Sequence, residues 1–309
     1  MTNLSLSHNK HNGMSDPVKT VTSADVEPAG RVLNDGTAPL NARFRALFTL
    51  KHVGGPEALS WITQAFDDPS ALLKHELAYC LGQMGDPAAI PVLAGLLADK
   101  TRETIVRHEA GEALAALGGP ESLKLLREYS QDSVAEVADT CQLGVKMLEY
   151  KESEVSRDEE GLLPVNPYAS VDPAPPLREK DVSKLKALLL DEKASLFERY
   201  RAMFTLRNIG SDDCIMALAE GLKGDNALFR HEVAYVLGQI QSEVAKEQLF
   251  DCLRNEAEND MVRHECAEAL GSIATDEIKE ELKLYLGDSV PSVLRQSCEV
   301  ALDFCDVKC

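Results

Sequence analysis

Residues 74–84 read KHELAYCLGQM and residues 230–240 read RHEVAYVLGQI, and the near-identity of these two stretches decides the fold. The match runs outward at a constant offset of 156 residues, the distance from His75 to His231. RFRALFTLKHVG at 43–54 returns as RYRAMFTLRNIG at 199–210, VRHEAGEAL at 106–114 as VRHECAEAL at 262–270, and DSV at 132–134 as DSV at 288–290. Two halves, about 41–150 and 197–306, are therefore copies of one unit, and such a repeat governs the architecture before local propensity does. A shorter period lies inside each half, because His75 and His108 are 33 residues apart and so are His231 and His264. Each unit carries Ala and Leu at helical spacing and ends on Gly or Gly-Asp-Pro. The glycine supplies a left-handed C-cap, and the proline starts the next helix where its missing N–H costs nothing. The expected fold class is all-α: an α-solenoid of short helical hairpins in two pseudo-symmetric halves of about four helix pairs each.

Composition agrees with that reading. Of 309 residues, 44% are apolar and only 5% aromatic, so a sizeable core can form and helices are favoured over sheets. The formal charge of −19 argues against nucleic acid, whose phosphates need a cationic footprint, and suits a cationic partner. No apolar run reaches the length of a membrane span, and the opening MTNLSLSHNKHNG is no signal peptide. Eight cysteines without CxxC spacing read as free thiols in an intracellular protein. Residues 1–40 lack periodicity and are expected to be a disordered N-terminal extension. Residues 151–196 read as an acidic, proline-rich linker with a lead-in helix. A linker of that length lets the C-terminal half (197–309) turn back onto the N-terminal half (41–150).

Four of the seven histidines are followed directly by glutamate: His75-Glu76, His108-Glu109, His231-Glu232 and His264-Glu265. Chance would supply at most about one such pair. Duplication explains why the copies agree, but not why histidine stands there. Equivalent positions on neighbouring solenoid helices share a face, so two imidazoles from each half can converge on one ion. Two histidines and a carboxylate form the facial set that leaves open positions on non-haem Fe(II), and two such sets describe a di-iron centre. Zinc tolerates the same ligands, so ligand type alone leaves a dinuclear hydrolase open. One turn beyond each histidine the copies diverge: Tyr79 and Tyr235 follow the first and third, Glu112 and Glu268 the second and fourth. Glu112 and Glu268 either orient their own imidazole or are solvated helix residues.

The repeat pattern resembles the short HEAT-like repeat. Four His-Glu pairs on two sets of such repeats, joined by an acidic, proline-containing linker, resemble the deoxyhypusine hydroxylases over about residues 41–306. The resemblance implies a non-haem di-iron monooxygenase with two Fe(II) ions per chain. It would hydroxylate the deoxyhypusine side chain of eukaryotic translation initiation factor 5A to hypusine, with O2 and an external electron donor. Carried over by motif, His75, His108 and Glu109 would bind one iron, and His231, His264 and Glu265 the other. Glu76 and Glu232 would receive the ammonium groups of the substrate or add further ligands. A cytoplasmic location is implied, with the nucleus as a second. The chemistry suits these residues: a polyamine arm needs carboxylates at fixed places, and a carbon without an acidic proton cannot be activated by a general base. A substrate carried on a protein loop suggests an open cleft between the halves. The alternative is a non-catalytic HEAT-repeat scaffold that presents a concave surface to a protein partner, which has no need of four pairs in register.

Overall fold

Polar side chains begin many of these helices and left-handed residues end several of them. The computed structural model describes residues 22–159 and 161–308, and every regular element among them is helical. The first half holds α1 (Val26–Leu33), α2 (Leu40–Val53), α3 (Gly55–Gln64), α4 (Ala71–Met84), α5 (Ile90–Ala98), α6 (Thr104–Leu117), α7 (Gly119–Tyr129) and α8 (Ala135–Glu152). A short α9 (Glu154–Glu159) follows. The second half repeats the set as α10 (Val182–Leu189), α11 (Leu196–Ile209), α12 (Asp212–Glu220), α13 (Ala227–Ile240), α14 (Lys246–Arg254), α15 (Asp260–Ile273), α16 (Asp276–Lys283) and α17 (Ser292–Lys308). Ser70 and Asn226 cap α4 and α13 by accepting from the backbone N–H of Leu73 and Phe229. Gly85 ends α4 at φ +70°, whereas Gln241 and Ala274 must take the same left-handed conformation to end α13 and α15.

Each half is thus four helix pairs, as the repeat predicts. In four of the eight pairs a buried arginine on the second helix ties it to the end of the first. The Nε of Arg43, Arg107, Arg199 and Arg263 donates to the carbonyl oxygen ten residues earlier, at 2.8, 3.0, 2.9 and 3.1 Å. Arg107 also grips Asp132, with Nη2 2.6 Å from Oδ2 and both side chains almost wholly buried. The even-numbered helices of the first half and the odd-numbered ones of the second form the inner faces, and these faces meet at both ends. Helix α17 packs on α2 and α4, and α8 packs on α11 and α13. Arg45 and Asn41 donate to Asp303, Ser70 to Gln296, Asn226 to Asp139 and Asn259 to Glu136 across the two junctions. The apolar interior forms two cores, one per half, with Leu228, Met261 and Val300 crossing into the first.

Two boundaries differ from the sequence expectation. Residues 22–40 are not an unstructured extension: α1 is the first helix of the first pair, with Val26 and Leu33 buried and Gly30 against the Trp61 ring. The remainder of the expected extension, 1–21, lies outside the described residues. Within the expected linker, α10 is the copy of α1, so the repeat spans about 26–152 and 182–308. The stretch between them returns across both halves. Gln83 donates to the Val171 carbonyl and accepts from the Val171 N–H, at 3.3 and 3.0 Å. Asp172 takes a bidentate contact from fully buried Arg207 (3.0 and 2.6 Å), which also reaches Gln239 at 2.7 Å.

Candidate metal centre

Small residues bring the histidine helices together. A Cβ at Gly82 would lie 2.8 Å from the Ala113 Cα, and one at Gly238 3.0 Å from the Ala269 Cα, so α4 rests directly on α6 and α13 on α15. Two turns before each glycine stand His75 and His231, level with His108 and His264 on the neighbouring helices. Ring centroids are 5.7 Å apart for His75 and His108 and 5.4 Å for His231 and His264. Across the halves they are 5.3 Å apart for His75 and His264 and 5.1 Å for His108 and His231. All four are buried. Glu109 Oε2 stands 3.2 Å from His75 Nε2 and 3.6 Å from His108 Nε2, and Glu265 Oε2 stands 3.5 Å from His231 Nε2. These approaches lack hydrogen-bonding alignment: both ring nitrogens of His75, His231 and His264, and Nε2 of His108, have no hydrogen-bond partner. Donors are therefore gathered around common points without satisfying one another. Within 4.8 Å of one another lie ligand atoms of His75, His108 and His231, of His231, His264 and Glu265, and of His108, Glu109 and Glu112.

Burial sets the protonation states. It lowers His75 and His231 well below the usual imidazole value and His108 to about 3, with neighbouring imidazoles adding to the effect. It pushes Glu76 up to about 7, and Glu109 and Glu232 well above the usual carboxyl value, with nearby carboxylates reinforcing the shift. Glu265 is raised by burial and by Glu268. Both Glu76 oxygens and Glu232 Oε1 are buried without hydrogen-bond partners. Glu268 behaves oppositely: burial opposes its ionisation, but contacts from His264 and Ser297 outweigh that and hold it below the usual range.

The two halves thus place the four histidines, Glu109 and Glu265 in one cluster with Glu76 and Glu232 beside it. Glu268 Oε1 approaches His264 Nδ1 at 3.8 Å, whereas His108 Nδ1 meets Thr140 Oγ1 at 3.3 Å. Tyr79 and Tyr235 meet across the halves, hydroxyl to hydroxyl, at 3.2 Å. Gln239 donates to that Tyr235 hydroxyl at 3.1 Å, which links the tyrosine pair through Arg207 to the strap at Asp172. An open pocket does lie between the halves, at the α8–α11 junction, lined by Asp139, Leu143, Ser195 and Phe197, but none of the four histidines or their glutamates lines it. Glu76 and Glu232 are 0% and 2% exposed, and a narrow crevice lined by Glu112, Met147, Lys151 and Asp172 lies under the strap. Gln83 and Gln239, which hold the strap from opposite sides, escaped the sequence reading although both stand inside the repeated motif. Thr140 escaped because its counterpart is Gln296 and no repetition marks it.

The seven described cysteines are free and buried, and no helix among the described residues is long and apolar enough to cross a membrane. HEAT repeats match residues 32–105, and the PBS lyase HEAT-like repeat matches 106–132 and 198–224. The chain is 57% identical to the deoxyhypusine hydroxylase of Rattus norvegicus, with 92% of each chain covered. It is 58% identical to that of Gallus gallus, covering 92% of this chain and 93% of the relative. Among solved structures, human deoxyhypusine hydroxylase in complex with glycerol superposes with a TM-score of 0.87 at 56% identity, over 92% of this chain and 96% of the other.

Proposed function

The chain belongs to the deoxyhypusine hydroxylase family, and we propose that it completes hypusine on eukaryotic translation initiation factor 5A through two iron ions held by its four histidines. The observation that carries this reading is the set of buried imidazole nitrogens that face one another without hydrogen-bond partners. Each unsatisfied buried polar atom costs about 1–3 kcal/mol, and a bound cation removes that cost. Neutral imidazoles together with carboxylates fit iron. His75, His108 and Glu109 would hold one ion, and His231, His264 and Glu265 the other. Bound iron supplies the oxygen chemistry that a C–H bond without an acidic proton requires, with O2 and an electron donor coming from outside the chain.

The side chains of the protein do the rest. Glu76 and Glu232 accept the ammonium groups of the polyamine arm, and those positive charges favour the ionised carboxylates that burial alone disfavours. The Tyr79–Tyr235 pair and the strap exclude water and fix the arm against the centre. Identity with hydroxylases along nearly the whole chain leaves the scaffold alternative without support.

Elemental analysis and a hydroxylation assay on deoxyhypusine-bearing factor 5A test the proposal together. About two irons per chain and oxygen-dependent hydroxylation are expected. His75→Ala and His264→Ala should each lose metal and abolish turnover; full activity in either would end the proposal. Glu76→Ala should weaken substrate binding while keeping iron, and the reverse pattern would exchange the roles of the glutamates.

A further inference from the structure

We propose that the two metal positions are unequal, the ion on the His231–His264 side being held more tightly, because different groups stand behind His264 and His108. The inference rests on the two-ion reading above and on repeat positions where the two halves have diverged. Helices α6 and α15 are copies, but the helices packed behind them have diverged. Thr140 Oγ1 donates its single proton to the Glu136 carbonyl at 2.8 Å and lies 3.3 Å from His108 Nδ1. A hydroxyl has one proton to give, so toward His108 it can only accept. His108 therefore carries its proton on Nδ1 and keeps the Nε2 lone pair for a metal. The group hydrogen-bonded behind it is neutral, and the Glu112 carboxylate, within 4.8 Å of a His108 nitrogen, stands beyond ion-pair distance.

In the second half, position 296 is glutamine, and its Oε1 accepts from Ser70 at 2.9 Å. His264 Nδ1 instead faces Glu268 Oε1 at 3.8 Å, and Ser297 donates to that same oxygen at 3.3 Å. The first half has Cys141 where the second has Ser297, and no ion pair joins Glu112 to His108 among the described residues. A carboxylate at ion-pair distance behind a ligating imidazole raises its basicity through its charge, and losing an outer partner of a ligand typically costs about 10- to 100-fold in metal affinity. Glu268 and Ser297 are thus positioning residues for one ion, and Thr140 for the other.

Anaerobic calorimetric titration of the metal-free chain with Fe(II) alone should show two steps whose Kd values differ by roughly 10- to 100-fold. His264→Ala removes the tighter step and His75→Ala the weaker. Glu268→Gln brings the two steps together, and Ser297→Ala, which leaves every ligand in place, narrows the gap in the same direction. Thr140→Ser keeps the native values, whereas Thr140→Val weakens only the looser step. Circular dichroism checks that each variant is folded. Equal Kd values in the native chain, or a gap unchanged by both Glu268→Gln and Ser297→Ala, would overturn the inequality and leave the two-metal reading standing. Uptake of fewer than two ions would overturn both.

Discussion

His75, His108 and His231 are held neutral by burial, while Glu76, Glu109 and Glu232 are pushed toward the protonated form by the same burial. Metal uptake at pH 7 must therefore release protons from these carboxyls and not from these three imidazoles. Calorimetry in two buffers of different ionisation enthalpy should register that release, and it should shrink as pH rises past the carboxyl values. The same shifts govern the metal-free protein. The lowered imidazoles bind fewer protons folded than unfolded, so their stabilisation is lost as pH falls below about 6.5. The raised carboxyls bind more protons folded, so theirs is lost as pH rises above about 4.3, through about 7 for Glu76 and further for Glu109 and Glu232. Above pH 6.5 only the carboxyl effect remains. Urea midpoints of the metal-free chain should fall with pH there, while those of the metal-loaded chain hold level. The histidines and their glutamates were legible in the sequence because duplication wrote each of them out again. Glu268 was legible in the same way, as the copy of Glu112, but Thr140 and Ser297 were not, since their counterparts are Gln296 and Cys141.

Buried arginines tie together the two helices of four pairs, and close crossings seat α4 on α6 and α13 on α15. Arg107 joins the Leu97 carbonyl to Asp132 from a nearly dry position, so Arg107→Ala strands a carboxylate and should cost about 3–5 kcal/mol in urea denaturation. Gly82 lies where any Cβ meets the backbone of α6, and Gly82→Ala should cost about 1–3 kcal/mol by overpacking. It should also spread His75 from His108, so iron affinity falls along with stability. Ala274 ends α15 at φ +63°, and Ala274→Gly should stabilise the fold by up to about 1 kcal/mol while leaving iron content unchanged. Helix content and the four pairs per half followed from the Ala and Leu spacing. Helix α1 did not: VEPAGRVL and VSKLKALL share only Val26/Val182 and Leu33/Leu189, and Pro28 and Gly30 disguise the first copy.

At the scale of the molecule, the junctions at α17 and α8 close the two arcs onto each other, and the strap crosses them between Gln83 and Arg207. Val165 lies 88% exposed between two anchored stretches: Glu159 upstream accepts from Tyr150 and Arg201, and Asp172 downstream is gripped by Arg207. A protease site introduced at Val165 should therefore cut cleanly and leave the halves together, eluting at the intact size with iron retained; separation would mean that the covalent tether, not the junctions, holds the arcs. That the halves face each other was legible from the length of the linker. That they enclose the centre was not, because the strap residues Ser170 to Asp172 that meet Gln83, Gln239 and Arg207 lie outside the repeat. The meeting of Tyr79 with its own copy Tyr235 puts the molecule in a class usually filled by homodimers, where one surface is complementary to itself about a two-fold axis. In a homodimer every substitution is made twice and the two sides must stay alike. Here a substitution is made once, so the two sides of the axis are free to specialise independently, a freedom that no pair of identical subunits has.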